Sequence, residues 1–552
     1  MHARPRRNAS IYLFLDDLTS RVVARSGIPS DRHHIGKLIQ QSLRDDPNFI
    51  LQIDASTDTR ETSGSVLRRS TQFAIAMNNF GIKCGDVIGL VVPNRREVCI
   101  VMYAALYLGA AVACLDVNMG INEMQEVLDN VKPQIVFSMN DYIKTVGESV
   151  TRAKLSSEIV TLDANDDHLD IETFLRKFGD VSKVDVFKPT EFDPSQTISF
   201  LMMTSGTTGG AVKFAALSHA SILYGCVDIW SRQHKFPDPE RMALILSPLQ
   251  WVSAIFHYVL SPVLRYTRLQ SPLRLDKPYI YTMINKYRPT HMICSPPLMA
   301  SLLNMDDTNS CDLSCFNYIV VGGSYVSPAL LKAIQKTVPN TDVQVLYGQT
   351  EMSGMIVSAD DKPIESVGRL IETVQFRLID HNTHEDIVEP NKTGELWVKG
   401  PGLFKGYYND PGRTKETFSD DGWFKTGDLL YMDEHRYLYF VDRLKMLLKY
   451  KNHHVSPVEI ENVIQQHPGV YQVAVTGIVE DLESGDLPVA CVVRRPGHDV
   501  TTLEIKELVK NSLSDTKQLR GGVIFMDQLP MTASSKINRS LLKKIVTELT
   551  KE

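Results

Sequence analysis

Apolar and polar positions alternate along most of this chain in a way that predicts an α/β fold. Between about residue 65 and residue 345, short apolar runs typical of buried strands recur, separated by segments whose apolar positions repeat at helical spacing. The predicted strands are residues 87–92, 134–137, 198–203, 242–246, 291–294 and 318–321, and the predicted helices include residues 65–79 and 121–131. Because strands that alternate with helices pair in parallel, we expect α/β subdomains with a largely parallel sheet.

The longest uncharged apolar run, residues 99–114, is too short to cross a membrane. It contains a glycine at position 109 and falls below the roughly 18 apolar residues that a spanning helix requires. The pattern instead predicts a buried helix that leads into a buried strand, so we expect no membrane span.

The pattern changes after about residue 365, where alternating runs become shorter and turn residues more frequent. Residues 394–400 and 437–441 alternate as strands do, which predicts a smaller β-rich subdomain. The C-terminal part predicts a compact α+β unit, with strands at 470–475, 489–493 and 523–526 and apolar helical faces at 503–513 and 541–549. The simplest division is a large N-terminal body and a small C-terminal domain.

Composition narrows the class of protein. A chain of 552 residues is longer than one hydrophobic core usually organises, so two or more domains are expected. A net charge of −6 argues against a nucleic-acid partner, because there is no basic excess to release counterions. The eight cysteines are scattered, and only Cys311 and Cys315 are close neighbours, which favours free thiols in a reducing compartment over a disulfide framework.

The two ends of the sequence bear on its location in the cell. Three N-terminal arginines precede a short apolar stretch at residues 11–15, but two aspartates follow at once, which disfavours a secretory signal and a mitochondrial presequence. The last four residues, Leu-Thr-Lys-Glu, are not a Ser-Lys-Leu-type address. We expect an intracellular protein, cytoplasmic or peroxisomal rather than mitochondrial.

A loop rich in hydroxyls and glycines follows the predicted strand at 198–203. It reads Thr204-Ser205-Gly206-Thr207-Thr208-Gly209-Gly210. Glycine lets a backbone approach an anion closely, and hydroxyls and bare N–H groups bind phosphate oxygens. The spacing is not that of a Walker A loop. On its own the loop predicts either a flexible turn or a site for a triphosphate.

Four further segments narrow that choice. They are Tyr347-Gly348-Gln349-Thr350-Glu351, Thr426-Gly427-Asp428, Asp442-Arg443-Leu444-Lys445 and Ser534-Ser535-Lys536. Each alone is typical of an ordinary turn, helix end or loop. Together with the hydroxyl–glycine loop, in this order and spacing, they resemble the adenylate-forming superfamily of acyl-CoA synthetases, 4-coumarate–CoA ligases, firefly luciferase and peptide-synthetase adenylation domains. The resemblance covers roughly residues 45–550 and is nearest to the insect luciferase-like and coumarate-ligase branch, for example at 422–428 and 519–523.

The resemblance implies a two-step reaction on a two-domain scaffold. A carboxylate attacks the α-phosphate of ATP to give an acyl-adenylate and pyrophosphate, and the thiol of coenzyme A then attacks the adenylate. The implied division is an N-terminal adenylation domain, residues 1–442, and a C-terminal cap domain, residues 443–552, with a hinge near Lys445. Because the carboxylic acid and ATP are both anionic, the site must align them and neutralise the charge that builds on phosphorus.

The same resemblance assigns residues to each part of the nucleotide. The residues that the resemblance implies to bind phosphates are Thr204, Ser205, Gly206, Thr207, Thr208, Gly209, Lys213 and Thr350. The residues that the resemblance implies to lie beside adenine are Gly322, Gly323, Ser324, Tyr347 and Gly348. Glu351 would ligate Mg²⁺, a cation that prefers carboxylate oxygen. Asp428 would accept hydrogen bonds from the ribose hydroxyls, and Arg443 would hold ribose and phosphate oxygens.

Lys536 is the residue implied to act most directly in catalysis. A flexible ammonium can bridge the substrate carboxylate and the α-phosphate and stabilise the pentacoordinate transition state. In the family, the C-terminal domain then rotates about the hinge that Lys445 matches. That rotation removes Lys536 from the site and presents the loop at 449–452, which begins with Lys449, for the thioester step.

The chain departs from the family pattern in its phosphate loop. Relatives usually continue with Gly-x-Pro-Lys-Gly, whereas here Gly209 is followed by Gly210-Ala211-Val212-Lys213-Phe214, so the proline is missing and the lysine falls one place late. The extra glycine could place Lys213 well or leave the loop slack. Asn452 replaces a common glycine, which is a mild change because asparagine tolerates the left-handed region.

The substrate pocket is less defined by the sequence. Beetle luciferases carry a histidine pair followed by Gly-Phe where this chain has Leu249-Gln250-Trp251-Val252-Ser253-Ala254, so a luciferin-shaped site is not expected. Trp251, Phe256 and the small Ser353 predict an apolar pocket for a hydrocarbon or aryl acid, although Trp251 is equally compatible with the core.

The leading hypothesis from the sequence is an AMP-forming acyl-CoA synthetase for an apolar carboxylic acid, foremost a fatty acid, that uses ATP, Mg²⁺ and coenzyme A. Two alternatives stay open. One is a luciferase-like monooxygenase on the same fold. The other is a catalytically impaired homologue that binds nucleotide or acyl groups, which the irregular loop at 210–214 would permit.

Overall fold

The structure is a computed structural model, and it describes nine segments of the chain. They are residues 9–204, 212–231, 241–303, 311–358, 362–371, 373–450, 453–479, 485–531 and 536–549.

The N-terminal body is built on two sheets whose strands are mostly parallel. Its strands are β1 (Ile50–Asp54), β2 (Thr59–Thr62), β3 (Val87–Val91), β4 (Ala111–Cys114), β5 (Ile135–Ser138), β6 (Glu158–Thr161), β7 (Leu169–Asp170), β8 (Ile198–Thr204), β9 (Lys213–Ser218), β10 (Met242–Ile245), β11 (Thr267–Gln270), β12 (His291–Cys294), β13 (Tyr318–Gly322), β14 (Asp342–Gln349), β15 (Gly354–Ser358) and β16 (Arg369–Leu370). One sheet has the order β7-β6-β5-β3-β4-β8-β9, and the other has the order β16-β15-β14-β13-β12-β10-β11-β1-β2.

Helices cover these sheets and join them through a shared core. In chain order they are α1 (Ala9–Ser26), α2 (Ile35–Asp45), α3 (Ser63–Phe80), α4 (Arg96–Leu108), α5 (Ile121–Val131), α6 (Ile143–Arg152), α7 (Ile171–Phe178), α8 (His219–Ser231), α9 (Val252–Leu264), α10 (Lys277–Tyr287), α11 (Pro296–Leu302) and α12 (Pro328–Thr337). One continuous buried cluster contains side chains from α2, α3, α4 and α9 and from both sheets. The two sheets therefore form one packed body.

A four-stranded antiparallel sheet follows, as the shorter alternation predicts. Its strands are β17 (Gln375–Ile379), β18 (Gly394–Lys399), β19 (Phe424–Met432) and β20 (Leu438–Arg443), with α13 (Pro411–Thr417) between β18 and β19. Buried side chains of β18 and β19, including Leu396 and Phe424, belong to the same cluster as the core of the N-terminal body. This sheet is therefore anchored to the body.

The C-terminal unit is a small α+β fold with its own buried clusters. Its strands are β21 (Leu448–Tyr450), β22 (His453–Val455), β23 (Val470–Val479), β24 (Asp486–Arg494) and β25 (Gly522–Phe525), and its helices are α14 (Pro457–Ile464), α15 (Thr502–Ser512) and α16 (Arg539–Leu549). Strands β23, β24 and β25 form one sheet, and β21 and β22 form a separate hairpin.

The predicted fold class is confirmed, and most predicted elements are present. The six predicted strands and two predicted helices of the N-terminal body all occur, with ends shifted by two residues or fewer. The run at 99–114 is a buried helix leading into a buried strand, as predicted. The pattern did not indicate which of two sheets each strand joins, because that choice depends on pairing between distant segments. The boundary at 442/443 stays a prediction; it falls one residue before the end of β20.

The apolar part of the N-terminal stretch considered as a targeting signal belongs to the folded body, while its three arginines lie outside the described residues. Residues 11–15 lie in α1, where Ile11, Leu18 and Val22 are buried in the main core. Arg21 of α1 donates to both carboxylate oxygens of Asp45 at 2.9 Å. Among the described residues, no helix is long and apolar enough to span a membrane. The seven cysteines whose side chains the structure describes are free thiols: Cys84, Cys99, Cys114, Cys294, Cys311, Cys315 and Cys491.

Candidate active site

The predicted nucleotide residues lie at the carboxyl ends of three strands, which is where ligands bind in open α/β sheets. Thr204 ends β8 and pairs in register with Lys213, the first residue of β9. Gly322 ends β13, and Gln349 ends β14. The predicted phosphate-loop residues Ser205, Gly206, Thr207, Thr208 and Gly209 lie outside the described residues.

Lys213 is placed near other cations and beside an aromatic ring. Its Nζ lies 4.9 Å from the centre of the Tyr407 ring. Burial lowers the pKa of Lys213, and the positive charges of Lys445 and Arg413 lower it further. Three cations drawn from β9, α13 and the turn after β20 are thus close enough to interact. A cluster of this kind attracts a polyanion.

Glu351 lies on the other side of Tyr407. It sits in the single 3₁₀ turn Thr350–Met352 that directly follows β14, and its Oε1 accepts a hydrogen bond from Tyr407 Oη at 2.9 Å. Its backbone oxygen accepts from Phe404 N at 2.8 Å. Burial and the adjacent carboxylate raise the pKa of Tyr407, so the phenol stays a donor. The contacts fix the position of the Glu351 carboxylate close to Lys213.

This carboxylate suits the Mg²⁺ that the family implies. Among the described residues, no group of three or more His, Cys, Asp or Glu side chains converges as in an all-protein metal site. Mg²⁺ is usually held by one or two carboxylates, with phosphate oxygens and waters completing its octahedron. A single fixed carboxylate beside a phosphate site therefore fits, and Glu351 would be the protein ligand.

Asp428 is the most heavily coordinated side chain of the site. It is 2% exposed. Its Oδ2 accepts hydrogen bonds from Tyr347 Oη and from Gln349 Nε2, both at 2.7 Å, and its Oδ1 lies 3.0 Å from Arg443 Nε. The carboxylate raises the pKa of Arg443, and burial together with the carboxylate raises the pKa of Tyr347. These contacts hold the Asp428 carboxylate in one position.

Strand β19 turns locally at residues 426–428, where its register with β18 shifts, and this turn within the strand presents Asp428. Thr426 Oγ1 donates to Leu396 O on β18 at 2.6 Å and accepts from Asp428 N at 3.1 Å. Gly427 has a φ of +70°, in the left-handed region, and its N–H donates to Glu395 Oε1 at 3.0 Å. The Thr-Gly-Asp order is thus required by the turn, because the hydroxyl, the positive φ and the carboxylate occupy consecutive positions.

Gly322, Gly323 and Ser324, which are predicted to lie beside adenine, form a glycine wall at the end of β13. A Cβ on Gly322 would lie 2.6 Å from Leu346 O, so glycine is needed for β13 to approach β14 here. Gly323 has a φ of +90°, and a Cβ built on it would be 3.8 Å from the Trp251 ring. Trp251 is half-buried and lies against this glycine wall, outside the fully buried core.

Lys536 reaches the same cleft from the C-terminal unit. Its Nζ lies 5.8 Å from the centre of the Trp251 ring. Burial and, to a smaller extent, the Arg443 cation together lower the pKa of Lys536 to about 8, although the Glu351 and Asp428 carboxylates oppose that change. A residue near the end of the chain therefore lies within electrostatic range of Glu351, Asp428 and Arg443.

The segment joining the two units is held by Asp442. Its Oδ1 accepts from Arg443 N at 2.7 Å, while its Oδ2 accepts from Ser456 Oγ and from Val458 N at the start of α14. Burial raises the pKa of this carboxyl. Lys445 is exposed in the turn that follows β20. Lys449 lies in β21, and its side chain is outside the described residues.

The predicted pocket residues Phe256 and Ser353 pack around Gly354. Phe256 and Ser353 are fully buried, and Ser353 has a φ of +53°. Gly354 has a φ of +117°, and a Cβ on it would lie only 2.0 Å from Phe256 Cζ. The aromatic ring therefore fills the space that any side chain at position 354 would need. Their contact with an acyl group stays a prediction.

Replacing Gly354 by alanine is expected to destabilise the N-terminal body by about 2–5 kcal/mol, because the positive φ and the overpacking against Phe256 both oppose it. Gly81→Ala is the matched control: its φ is +122°, but nothing lies within 4 Å of the added Cβ, so about 1 kcal/mol is expected. Thermal unfolding of both variants measures the difference. Equal shifts in the two variants would contradict the packing of Phe256 against Gly354.

Two residues of the site were not assigned a role from the sequence. Gln349 was visible inside the motif at 347–351, and its polar side chain at the end of an apolar strand was the available signal. Tyr407 lies outside all the motifs considered, and nothing local distinguishes it from other tyrosines. Both bond to predicted site residues that are more than 50 positions away in the chain.

Comparison with known proteins shows the family of the chain. A family model described as AMP-binding enzyme matches residues 39–408, and one described as AMP-binding enzyme C-terminal domain matches residues 459–536. The luciferin 4-monooxygenase of Nipponoluciola cruciata is 32% identical over 514 residues, which cover 90% of this chain and 92% of the relative. The 4-coumarate–CoA ligase-like 9 protein of Arabidopsis thaliana is 28% identical and covers 90% of this chain and 87% of its own length.

Solved structures have the same fold. The luciferase-like enzyme of the nonluminescent mealworm Zophobas morio is 27% identical with a TM-score of 0.68, over 74% of this chain and 95% of that chain. The anthranilate CoA ligase AuaEII, in complex with anthranoyl-AMP, has a TM-score of 0.84 at 20% identity, over 94% of this chain and 98% of that chain. With family matches across both parts of the chain, this protein belongs to the AMP-binding, adenylate-forming enzymes, the acyl-activating superfamily of acyl-CoA ligases and luciferases.

Proposed function

We propose that this enzyme is an ATP- and Mg²⁺-dependent acid–thiol ligase that makes acyl-CoA from an apolar carboxylic acid, foremost a fatty acid. The observation that carries the proposal is the position of Lys536, within reach of the charges of Arg443, Glu351 and Asp428 and beside Trp251. Two anionic substrates need a mobile cation between them, and an ammonium on a flexible stem meets that need.

The first step transfers adenylate to the acid. The substrate carboxylate oxygen attacks the α-phosphorus of ATP, the bond from that phosphorus to the bridging oxygen breaks, and pyrophosphate leaves with the electron pair. Asp428 and Arg443 hold the ribose, while Thr204, Lys213 and Thr350 hold phosphate oxygens. Lys536 lies between the acid and the α-phosphate and stabilises the charge on the equatorial oxygens. Bound through Glu351, Mg²⁺ would neutralise charge on the phosphates.

The second step forms the thioester. The thiolate of coenzyme A attacks the acyl carbonyl, and AMP leaves. We infer that the C-terminal unit turns about Lys445 between the two steps and brings the hairpin that contains Lys449 towards the site. Asp442 accepts hydrogen bonds from Ser456 and Val458 across Lys445, so a rotation about Lys445 has to break these two contacts.

The acid is proposed to be apolar because of Trp251, which lies near Lys536, and of the predicted pocket residues Phe256 and Ser353. Trp251 presents an indole ring at the cleft, and Phe256, Ser353 and Gly354 lie close together without a charged group among them. These residues favour a hydrocarbon or aryl chain over a dicarboxylic acid.

Pyrophosphate exchange tests the proposal. Purified protein is incubated with Mg²⁺-ATP, labelled pyrophosphate and a panel of short, medium, long and aryl acids, and acyl-CoA is then measured for the acids that support exchange. We expect exchange and thioester formation with at least one apolar acid. Absence of exchange with every acid, beside an active control ligase, would refute the proposal and favour a nucleotide-binding homologue impaired by its irregular loop.

A luciferase-like monooxygenase is the second candidate, and the 32% identity to the luciferin 4-monooxygenase of Nipponoluciola cruciata favours it. Against it, Leu249, Gln250 and Trp251 stand where beetle luciferases carry their histidine pair. Measurements of oxygen consumption and light emission with luciferin and ATP distinguish the monooxygenase from the ligase. Luciferin-dependent oxygen uptake would support the monooxygenase over the ligase.

The pH dependence of adenylation should reflect Lys536. Its pKa is lowered to about 8 by burial, and only the protonated form can bridge two anions. We therefore expect kcat/KM for ATP to fall as pH rises through about 8, because that parameter reports the free enzyme. Pyrophosphate exchange avoids the titration of the coenzyme A thiol. Lys536→Arg should lose this limb of the profile, since guanidinium stays charged; an identical limb in the variant would assign it to another group.

A further inference from the structure

Gln349, like Tyr347, connects two different sheets by a hydrogen bond to Asp428. Its strand, β14, pairs with β13 and β15, whereas Asp428 lies on β19 of the four-stranded sheet. Gln349 Nε2 donates to Asp428 Oδ2 at 2.7 Å and to Thr426 O at 2.8 Å. A primary amide carries two N–H donors, so both are used on the same three-residue turn. One side chain thus fixes both the carboxylate and the backbone that precedes it.

The hydrogen bonds are distributed unequally over the two oxygens of Asp428. Tyr347 and Gln349 both donate to Oδ2, and Oδ1 faces the guanidinium of Arg443 at 3.0 Å. A carboxylate has about four acceptor positions, so Oδ1 keeps capacity for a further donor. The two donors on Oδ2 hold the plane of the carboxylate and determine where Oδ1 points. Tyr347 alone provides one donor, around which the carboxylate could still rotate.

We propose that Gln349 is a positioning residue that orients Asp428 for the ribose hydroxyls of ATP. The inference rests on the proposed function, in which Asp428 accepts those hydroxyls, and it adds a residue that determines ribose recognition. A carboxylate already held in its binding orientation loses less rotational freedom when the nucleotide arrives, which strengthens binding. Gln349 acts through Asp428 and has no direct contact with the nucleotide in this proposal.

Affinities for ATP and for 2′,3′-dideoxy-ATP test the proposal. Gln349→Met keeps the length of the side chain and removes both donors. We expect its Kd for Mg²⁺-ATP, measured by calorimetry on the full chain without acid, to rise about tenfold, the scale of a hydrogen bond to a charged group. Its Kd for 2′,3′-dideoxy-ATP should stay near that of the wild type, because that ligand has no ribose hydroxyl to bind Asp428.

Gln344 provides a matched control on the same strand. Its Nε2 donates to Asp342 Oδ1 at 2.9 Å, so Gln344→Met also removes a glutamine–aspartate hydrogen bond, but away from Asp428. This variant should bind both nucleotides as the wild type does. Gln349→Leu is the second variant at the site, in case the methionine variant does not fold.

The other possible results would contradict the role proposed for Gln349 or the one proposed for Asp428. If Gln349→Met weakens both nucleotides by the same factor, the residue has only a structural role and the proposal is overturned. If it binds ATP as the wild type does, the positioning role is likewise overturned. If the wild-type protein does not distinguish the two nucleotides, Asp428 does not bind ribose. Failure of the proposed ligase function is separate, because it is read from pyrophosphate exchange.

Discussion

Replacing Lys536 by methionine should lower the rate of adenylate formation by about 100- to 1,000-fold, which is the usual effect of losing one electrostatic contact with a transition state. Methionine keeps most of the length of the side chain and its contact with Trp251, so the change mainly removes the charge. The cation is needed when negative charge is shared between the carboxylate, the phosphorus and the leaving pyrophosphate. Pyrophosphate exchange at saturating ATP and acid measures this step.

The second half-reaction distinguishes a catalytic role from a structural one. If the C-terminal unit withdraws Lys536 before thiol attack, transfer from supplied acyl-adenylate to coenzyme A should change by less than about threefold in Lys536→Met. Lys544→Met, an exposed lysine of α16, serves as the control and should leave both steps unchanged. Equal loss of both half-reactions in Lys536→Met would indicate that the lysine supports the fold of the cleft instead.

Asp428→Asn is expected to weaken Mg²⁺-ATP binding by about 30- to 150-fold, corresponding to about 2–3 kcal/mol for hydrogen bonds to a charged group. The asparagine is nearly isosteric, but its amide adds two donors where Tyr347, Gln349 and Arg443 already supply donors. At least one of them loses its acceptor in a site where the aspartate is only 2% exposed. The ribose loses its anionic partner as well.

Calorimetry with Mg²⁺-ATP measures that effect, and Asp433→Asn controls for it. Asp433 follows the other end of β19, where it also accepts from a tyrosine, Tyr439 Oη at 3.1 Å, and from backbone N–H groups. This variant should bind ATP with unchanged affinity even if its stability falls. Unchanged ATP affinity in Asp428→Asn would remove the ribose-binding role from this carboxylate.

Features set by neighbouring residues could be predicted from the sequence, whereas features that depend on distant segments could not. The helix at 121–131 was predicted to the residue, because its apolar spacing and its start after Gly120 are local. Helix α1 was not predicted, since Asp16 and Asp17 follow its first apolar residues and the burial of Ile11 depends on packing within the main core. The sequence pattern also could not predict how the N-terminal strands divide into two sheets, because β1 pairs with β11 more than 200 residues later.

The sequence by itself determined the family, the order of its motifs and the residue types that an adenylate-forming site requires, because these are properties of short segments. It also located the departure at 210–214, of which residues 210 and 211 lie outside the described residues. Only the tertiary structure decided which motif residues share one carboxylate. Tyr347, Gln349 and Arg443 meet at Asp428 because β14, β19 and β20 converge there. Lys536 of the C-terminal unit lies beside Trp251, within electrostatic range of Arg443 and Asp428. Such contacts arise from long-range packing, which no local spacing encodes.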